Sequence, residues 1–208
     1  GGPGRGGRVL DLGSGNGLWL RALEDAGYEP MGIEASPALV RIARARAPGI
    51  PIECASLHDA AFPEAEAVTA LGEVLSYLPP DRPRPPSWSA VCRKVNRILP
   101  RGGLFIFDLL VEGSPLLEYR TWSTGIDWAC LVEVRERKPR HRLVREITTF
   151  RKNGRSYRRG EERHTLRVAD PTRVKAALRA AGFTVRTADS YGAFPVARRR
   201  LVFTARKR

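Results

Sequence analysis

Residues 9–17 read Val9-Leu10-Asp11-Leu12-Gly13-Ser14-Gly15-Asn16-Gly17, and a helical run, 18–26, follows. A short apolar run that stops in alternating glycines and then turns helical is a strand–loop–helix unit. Glycines let a ligand approach the backbone closely, and the helix N-terminus offers free N–H groups to an anion. A dinucleotide fold carries G-x-G-x-x-G, whereas the third glycine here comes one residue sooner, as G-x-G-x-G. Asp11 stands two residues ahead of the first glycine. An acid there would repel a pyrophosphate and attract a ligand that bears an ammonium group and a sulfonium. Glu34 closes the next strand, where a carboxylate can accept hydrogen bonds from both hydroxyls of a ribose.

Outward from this unit, the first half alternates strand and helix patterns. Strands are expected at 8–12, 29–33, 50–55, 65–71 and 104–109. Between them, Ser36-Pro37 opens a helix that runs to Pro48, since serine caps and proline suits the first helical position. Trp88, Val91, Val95, Ile98 and Leu99 share the face of another, closed by Pro100. Strands separated by helices imply right-handed crossovers and a parallel sheet covered on both faces. The second half changes period. Stretches 129–134, 143–150 and 157–168 alternate apolar and polar residues, with turns at Pro139-Arg140-His141 and Asn153-Gly154. They predict an antiparallel meander over 126–168. A helix then opens at Asp170-Pro171 and stops at Gly182, and strands at 184–189 and 201–205 end the chain. The plan is a first α/β part, 1–110, an inserted meander, 111–168, and a completing part, 169–208. The stretch PPDRPRPP, 79–86, reads as a rigid connector.

Composition narrows the class. The 208 residues are 42% hydrophobic and 28% charged, which suits one folded domain with an insertion and excludes disorder throughout. No apolar run approaches the roughly 20 residues of a membrane helix, and no secretory leader is visible. Cys54, Cys92 and Cys130 lie far apart, with no CxxC pair and no metal spacing. That usage fits a reducing, cytoplasmic setting and predicts no bound metal. Residues 1–110 carry 12 basic and 12 acidic side chains, while 111–208 carry 24 and 10. The whole excess of +14 therefore sits in the second half. A basic half can attract nucleic acid or an anionic substrate. Arginine supplies 31 of the 36 basic residues in a chain rich in Ala, Gly and Pro, so compositional bias is the favoured explanation.

The run VLDLGSGNG (9–17), then GIEAS (32–36), then RILPRGGLFIFD (97–108), resembles the motifs of class I S-adenosylmethionine-dependent methyltransferases. The resemblance covers residues 8–110 and the helix-strand-strand ending, 170–206. It implies an α/β fold with a Rossmann-like, mostly parallel seven-stranded sheet, helices on both faces, and the last strand antiparallel. It implies S-adenosylmethionine as cofactor, with contacts from Asp11, Gly13, Ser14, Gly15 and Gly17, and from Gly72 after the fourth strand. It gives the ribose to Glu34, with Ala35 beside it. Many members have Gly-Asp after the third strand for the adenine. This chain reads Ala55-Ser56-Leu57, which moves that contact to Ser56 and Leu57, or to Asp59. The Asn/Asp-Pro-Pro-Tyr signature of enzymes that methylate adenine or glutamine amino groups is absent. The inserted meander resembles that of small-molecule enzymes such as aminosugar N-methyltransferases.

On the acceptor side the candidates are Glu73, Tyr77 and His164: a carboxylate to orient an amine, a ring to wall the methyl site, and an imidazole base. Glu73 could instead cap the next turn or bind the cofactor's ammonium group. Asp108, Trp122, Trp128, Tyr157 and Tyr191 are further wall or hydrogen-bonding candidates. The favoured reading is methyl transfer to a small molecule, at nitrogen ahead of oxygen. An RNA methyltransferase ranks second, because the meander lacks the aromatic interleaving of a stacking platform. A cofactor-binding interaction protein ranks third, and a nicotinamide dehydrogenase fourth because of its glycine spacing. A three-stranded meander alone would leave edges exposed. It is therefore expected to pack on the main domain or on a second copy in a homodimer. There it would wall the substrate pocket, with Tyr157 and His164 opposite Glu73 and Tyr77.

Overall fold

The computed structural model describes residues 4–79, 87–137 and 141–208. The connector from Pro80 onward and the turn residues Pro139 and Arg140 lie outside them. The chain forms two units. The first holds residues 4–75, 87–109 and 171–208, and the second holds the described parts of 76–79 and 110–170.

Elements are numbered in chain order. In the first unit they are β1 (Arg8–Leu12), α1 (Leu18–Asp25), β2 (Glu29–Glu34), α2 (Pro37–Arg46), β3 (Ile52–Cys54) and β4 (Ala67–Ala70). After the second unit's short β5 (Tyr77–Leu78) come α3 (Trp88–Ile98) and β6 (Leu104–Leu110). The second unit's β7 (Glu118–Gly125), β8 (Trp128–Arg137), β9 (Arg142–Asn153) and β10 (Ser156–Arg167) follow. The chain ends with α4 (Pro171–Ala180), β11 (Phe183–Ala188), β12 (Ser190–Tyr191), β13 (Phe194–Pro195) and β14 (Arg200–Lys207).

The main sheet has the order β11-β14-β6-β4-β1-β2-β3. β1 pairs in parallel with β2 and β4, β2 with β3, and β4 with β6, while β11 and β14 are antiparallel. This is the expected seven-stranded architecture. Every residue of β4 is buried, and so are four of five in β1, as central strands covered on both faces require. Leu20, Val40, Ala43, Ala47, Ile50 and Ile52 form one core cluster, and Val9, Leu23 and Ala67 form another. Phe107 stacks between Phe105 and Phe203, at 4.4 and 5.0 Å between centroids. Ser36 caps α2 by accepting the Leu39 N–H, and Pro37 opens the helix as its fixed φ favours. The chain order reverses beside β1, and the carboxyl ends of β1, β2 and β4 lead into the glycine loop, Glu34 and Gly72, where an open α/β sheet binds its ligands.

The second unit is wider than the three alternating stretches predict. Its sheet runs β5-β10-β9-β8-β7, antiparallel throughout. The added edge strand β7 is exposed at every residue, so it has no buried face to leave an alternation in the sequence. β5 is only two residues long. The tip between β9 and β10 also differs from the expected Asn-Gly turn. Asn153 pairs with Ser156, so the two loop residues are Gly154 and Arg155, and only Gly154 takes a positive φ, 61°. That is the glycine-first form of a two-residue hairpin. Leu110, Val134, Leu143, Leu166 and Val168 form the unit's core. The ladder of β10 is unbroken from Ser156 to Arg167. Tyr157 and His164, seven residues apart on it, therefore point to opposite faces and cannot both line one wall.

Candidate active site

The loop after β1 depends on its glycines. Gly13, Gly15 and Gly17 all have positive φ, at 73°, 56° and 80°. A Cβ on Gly13 would meet Val74 at 2.6 Å, and one on Gly17 would meet Ala43 Cβ at 2.9 Å. Glycine is thus fixed at both by conformation and by close approach, to the turn after β4 and to α2. Gly15 faces open space, since a Cβ there would come no nearer than 4.0 Å to the Gly13 carbonyl. The Gly13 and Ser14 N–H groups donate to the Ile33 carbonyl at 2.7 and 3.2 Å, which joins the loop to β2. Gly17 caps α1 without a side-chain bond. The first turn therefore offers donors to an anionic group.

Glu34 ends β2 and is buried. Its Oε2 accepts the Gly15 N–H at 2.8 Å, and its Oε1 accepts the Ser36 N–H at 2.8 Å. Each oxygen keeps a further lone pair, so the carboxylate can brace the loop and still accept from two hydroxyls.

Asp11 is also buried. Its Oδ1 accepts from the Thr69 hydroxyl at 2.6 Å, and Thr69 accepts from Trp19 Nε1 at 3.2 Å. The Ser14 hydroxyl donates to the Asp11 carbonyl oxygen at 3.1 Å. Burial pushes the Asp11 carboxyl up to about 7, against the hydrogen bonds from Thr69 and Ser14 and with the Glu34 charge adding to the rise. A buried carboxyl poised near neutrality ionises readily once a cation is placed beside it.

After β3, the Ala55 N–H donates to the Glu34 carbonyl at 3.0 Å. The Ser56 carbonyl takes the Asp59 and Ala60 N–H groups, and its hydroxyl accepts the His58 N–H at 3.3 Å. Ser56 thus organises a tight turn. Lys94 of α3 holds this turn from outside, donating to the Leu57 and Ala60 carbonyls at 2.9 and 2.7 Å with Nζ 3.9 Å over the Phe62 ring. Burial lowers the Lys94 ammonium from its usual range. The sequence holds a signal for Lys94 that periodicity alone passes over: it falls on the same helical stripe as Val91 and Ile98. Lys94→Met should loosen the turn without emptying the core. Affinity for S-adenosylhomocysteine should fall about tenfold, roughly the worth of one charged hydrogen bond. Calorimetry checks this, and an unchanged affinity would remove Lys94 from the cofactor's support.

After β4, Gly72 and Glu73 both take positive φ, at 83° and 63°. Glu73 is buried, and its carboxylate meets Arg200 Nε at 2.9 Å. Asp108, in β6 just past its last pairing with β4, accepts the Gly72 and Glu73 N–H groups at 2.6 and 3.0 Å and the Tyr191 hydroxyl at 2.7 Å. Burial and the Asp108 carboxylate raise the Tyr191 hydroxyl well above its usual value. Tyr191 is therefore a hydrogen-bond donor here, not a free aromatic wall.

In the first unit the structure brings together Asp11, Gly13, Ser14, Gly15, Gly17, Glu34 and, through the Gly13–Val74 approach, the Gly72–Glu73 turn. Ala35, exposed, and Ser56 follow directly from β2 and β3. Tyr77 and His164 meet within the second unit, with ring centroids 5.4 Å apart and edge on. His164 Nε2 lies 3.2 Å from Glu162 Oε2. Trp122 and Trp128 lie exposed on the sheet. A cleft of about 960 Å³ on this sheet is lined by Arg120, Trp122, Leu131, Glu133, Glu146 and Arg163 among others. Glu133 holds Arg120 at 3.0 Å and also Arg135, while Glu146 lies 3.7 Å from Arg163. Several arginines of the basic half are thus paired with carboxylates of the same sheet, in exposed pairs that solvent screens.

Residues 9–103 match the methyltransferase domain family. No curated protein matches the sequence. Among solved structures, the chain is similar to an amino pentose methyltransferase from Micromonospora echinaspora involved in calicheamicin biosynthesis. The two share 18% identity over 98% of this chain and 84% of that one, with a TM-score of 0.76. A sugar N-methyltransferase from a Streptoalloteichus species gives 20% identity, 98% and 81% coverage, and a TM-score of 0.76. An S-adenosylmethionine-dependent methyltransferase from Clostridium acetobutylicum gives 17%, 96% and 83%, and 0.78. At these identities the likeness is one of fold. Residues 9–103 thus carry a methyltransferase domain, and the fold is one shared with S-adenosylmethionine-dependent methyltransferases, whose cofactor is S-adenosylmethionine. The residues present fit that group: spare lone pairs on Glu34 for a ribose, a carboxyl at Asp11 for a cation, and open space at Gly15. Among the described residues no helix is long and apolar enough to cross a membrane.

Proposed function

We propose that the chain methylates the amino nitrogen of a small molecule, with amino sugars the first acceptors to try. The observation that carries the reading is the bracing of the glycine loop by Glu34, which leaves the loop open at Gly15. The similarity to amino pentose and sugar N-methyltransferases supports the acceptor class. Bound S-adenosylmethionine supplies a methyl group already activated on a sulfonium. The protein's part is then alignment, exclusion of water and management of one proton. The reading gives cofactor binding to Asp11, Gly13, Ser14, Gly15, Gly17, Glu34, Ala35, Ser56, Leu57 and Gly72. Ammonium and sulfonium charge goes to Asp11, ribose hydroxyls to Glu34, and the adenine to the Ser56–Leu57 turn. On the acceptor side it assigns Tyr77 and His164, while Glu73, buried and paired with Arg200, belongs to the turn beside the glycine loop. An amine attacks only with its lone pair free, and a histidine can take up the proton near neutral pH.

The test is incubation with methyl-labelled cofactor and a panel of free and nucleotide-linked amino sugars. N-methylated product is expected. Label that enters only hydroxyl groups would move the acceptor atom to oxygen.

A second reading, RNA methylation, draws on the +14 charge and its place in the second half. The two separate by salt. A protein that neutralises six to ten phosphates loses roughly 10³–10⁵ in affinity between 50 and 200 mM salt. Only weak, salt-sensitive and sequence-independent binding is expected here. Tight binding to one structured RNA with methyl incorporation would reverse the ranking.

A further inference from the structure

Glu73 poses a problem that the fold answers. A non-glycine residue with φ of 63° is strained, and such residues persist only where their surroundings over-determine them. Three distant segments do so here. The register Ala70↔Phe107 places Asp108 of β6 just beyond the last paired residues of β4, level with the turn. Its carboxylate takes both turn N–H groups, Gly72 at 2.6 Å and Glu73 at 3.0 Å. Tyr191 of β12 donates to the same carboxylate at 2.7 Å. Arg200, the first residue of β14, takes the Glu73 carboxylate at 2.9 Å. Asp108 and Glu73 are each 1% exposed. A carboxylate so buried and already paired is not placed to collect a proton from an incoming amine.

We propose that Asp108, Tyr191 and Arg200 are positioning residues that latch the Gly72–Glu73 turn in its left-handed form and preset it for the cofactor. Glu73 acts within this latch, by gripping Arg200, and the acceptor's proton leaves by another group. The turn abuts the glycine loop, because Val74 fills the space where a side chain on Gly13 would go. A turn that relaxes would therefore disturb the loop that carries the cofactor. This inference rests on the methyltransferase reading for its ligand, but the latch itself has a ligand-free readout.

The experiment compares Tyr191→Phe, Asp108→Asn and the double variant Asp108→Asn with Glu73→Gly. Three quantities are measured: amide exchange at Gly72 and Glu73, S-adenosylhomocysteine affinity by calorimetry, and thermal midpoint. Tyr191→Phe should weaken affinity about threefold and Asp108→Asn about tenfold, and exchange at both amides should speed up about tenfold or more, as expected when hydrogen bonds that hold a strained turn are lost. Glycine adopts positive φ without strain, so Glu73→Gly should restore much of the affinity lost in Asp108→Asn. A purely structural role predicts a lower midpoint with affinity and turn exchange unchanged, and that result overturns the proposal. So does failure of Glu73→Gly to restore binding. Should Asp108→Asn not fold, Tyr191→Phe alone decides through the same two readouts. If the wild-type chain does not bind S-adenosylhomocysteine, the cofactor reading fails, while amide exchange still decides the latch.

Discussion

Glu34→Ala should reduce affinity for S-adenosylhomocysteine by about 100-fold or more and also lower the thermal midpoint. Two losses combine. The ribose loses a charged acceptor, about 1.5–3 kcal/mol for a hydrogen bond to a charged group. The half-buried Gly15 and Ser36 N–H groups also lose their acceptors, each loss costing about 0.5–1.5 kcal/mol, the net worth of a hydrogen bond that water can partly replace. A substitution that removed only a ligand contact would leave the empty protein's stability alone. This one should not, because the same carboxylate braces the loop. Glu34→Gln separates the parts. One amide oxygen can still brace one N–H, but the NH₂ group opposes the other. Intermediate stability with affinity nearly as poor as alanine's is expected, read by calorimetry and thermal unfolding. Wild-type affinity in both variants would remove Glu34 from the cofactor site.

The glycine loop was legible because its requirement is local: alternating positive φ and close approach can be met only by glycine, so the pattern stands in the sequence. The parallel strands were legible because burial on both faces leaves short continuous apolar runs such as Leu104–Phe107. β7 was not, because an edge strand exposed at every residue carries no alternation. The partners of the site residues were hidden for another reason. Thr69 lies 58 residues from the Asp11 it serves, and Trp19 lies 50 from Thr69. Arg200 and Tyr191 reach the turn after β4 only because β14 and β12 return to it at the end of the chain. No local pattern encodes such pairings. Glu73 and Asp108 could be singled out as acids after or within apolar strand patterns, but the latch between them is a product of sheet order.

The pH dependence of cofactor binding should report Asp11 directly. Its carboxyl, pushed up to about 7 by burial, prefers the neutral form in the folded chain. The sign follows from linkage. A carboxyl raised from 3.8 in the unfolded chain contributes stability that is full below about 3.8 and is lost as pH rises through about 7. Ligand-free protein should therefore feel an increasing penalty at Asp11 as it goes from acid to neutral pH. A bound ammonium group offsets that penalty by pairing with the carboxylate, so binding and deprotonation are coupled. Affinity for S-adenosylhomocysteine should rise by up to about tenfold per pH unit approaching 7 and level off above it. At pH 6, binding should release close to one proton, which calorimetry in buffers of different ionisation enthalpy will show. Asp11→Asn removes the titrating group and keeps an acceptor for the Thr69 hydroxyl. Its affinity should be lower at pH 8, flat from pH 6 to 8, and free of proton release. If the wild-type profile is equally flat, the Asp11 carboxyl does not pair with the cofactor's cation, and its role reduces to fixing Thr69 and Trp19 beneath the glycine loop.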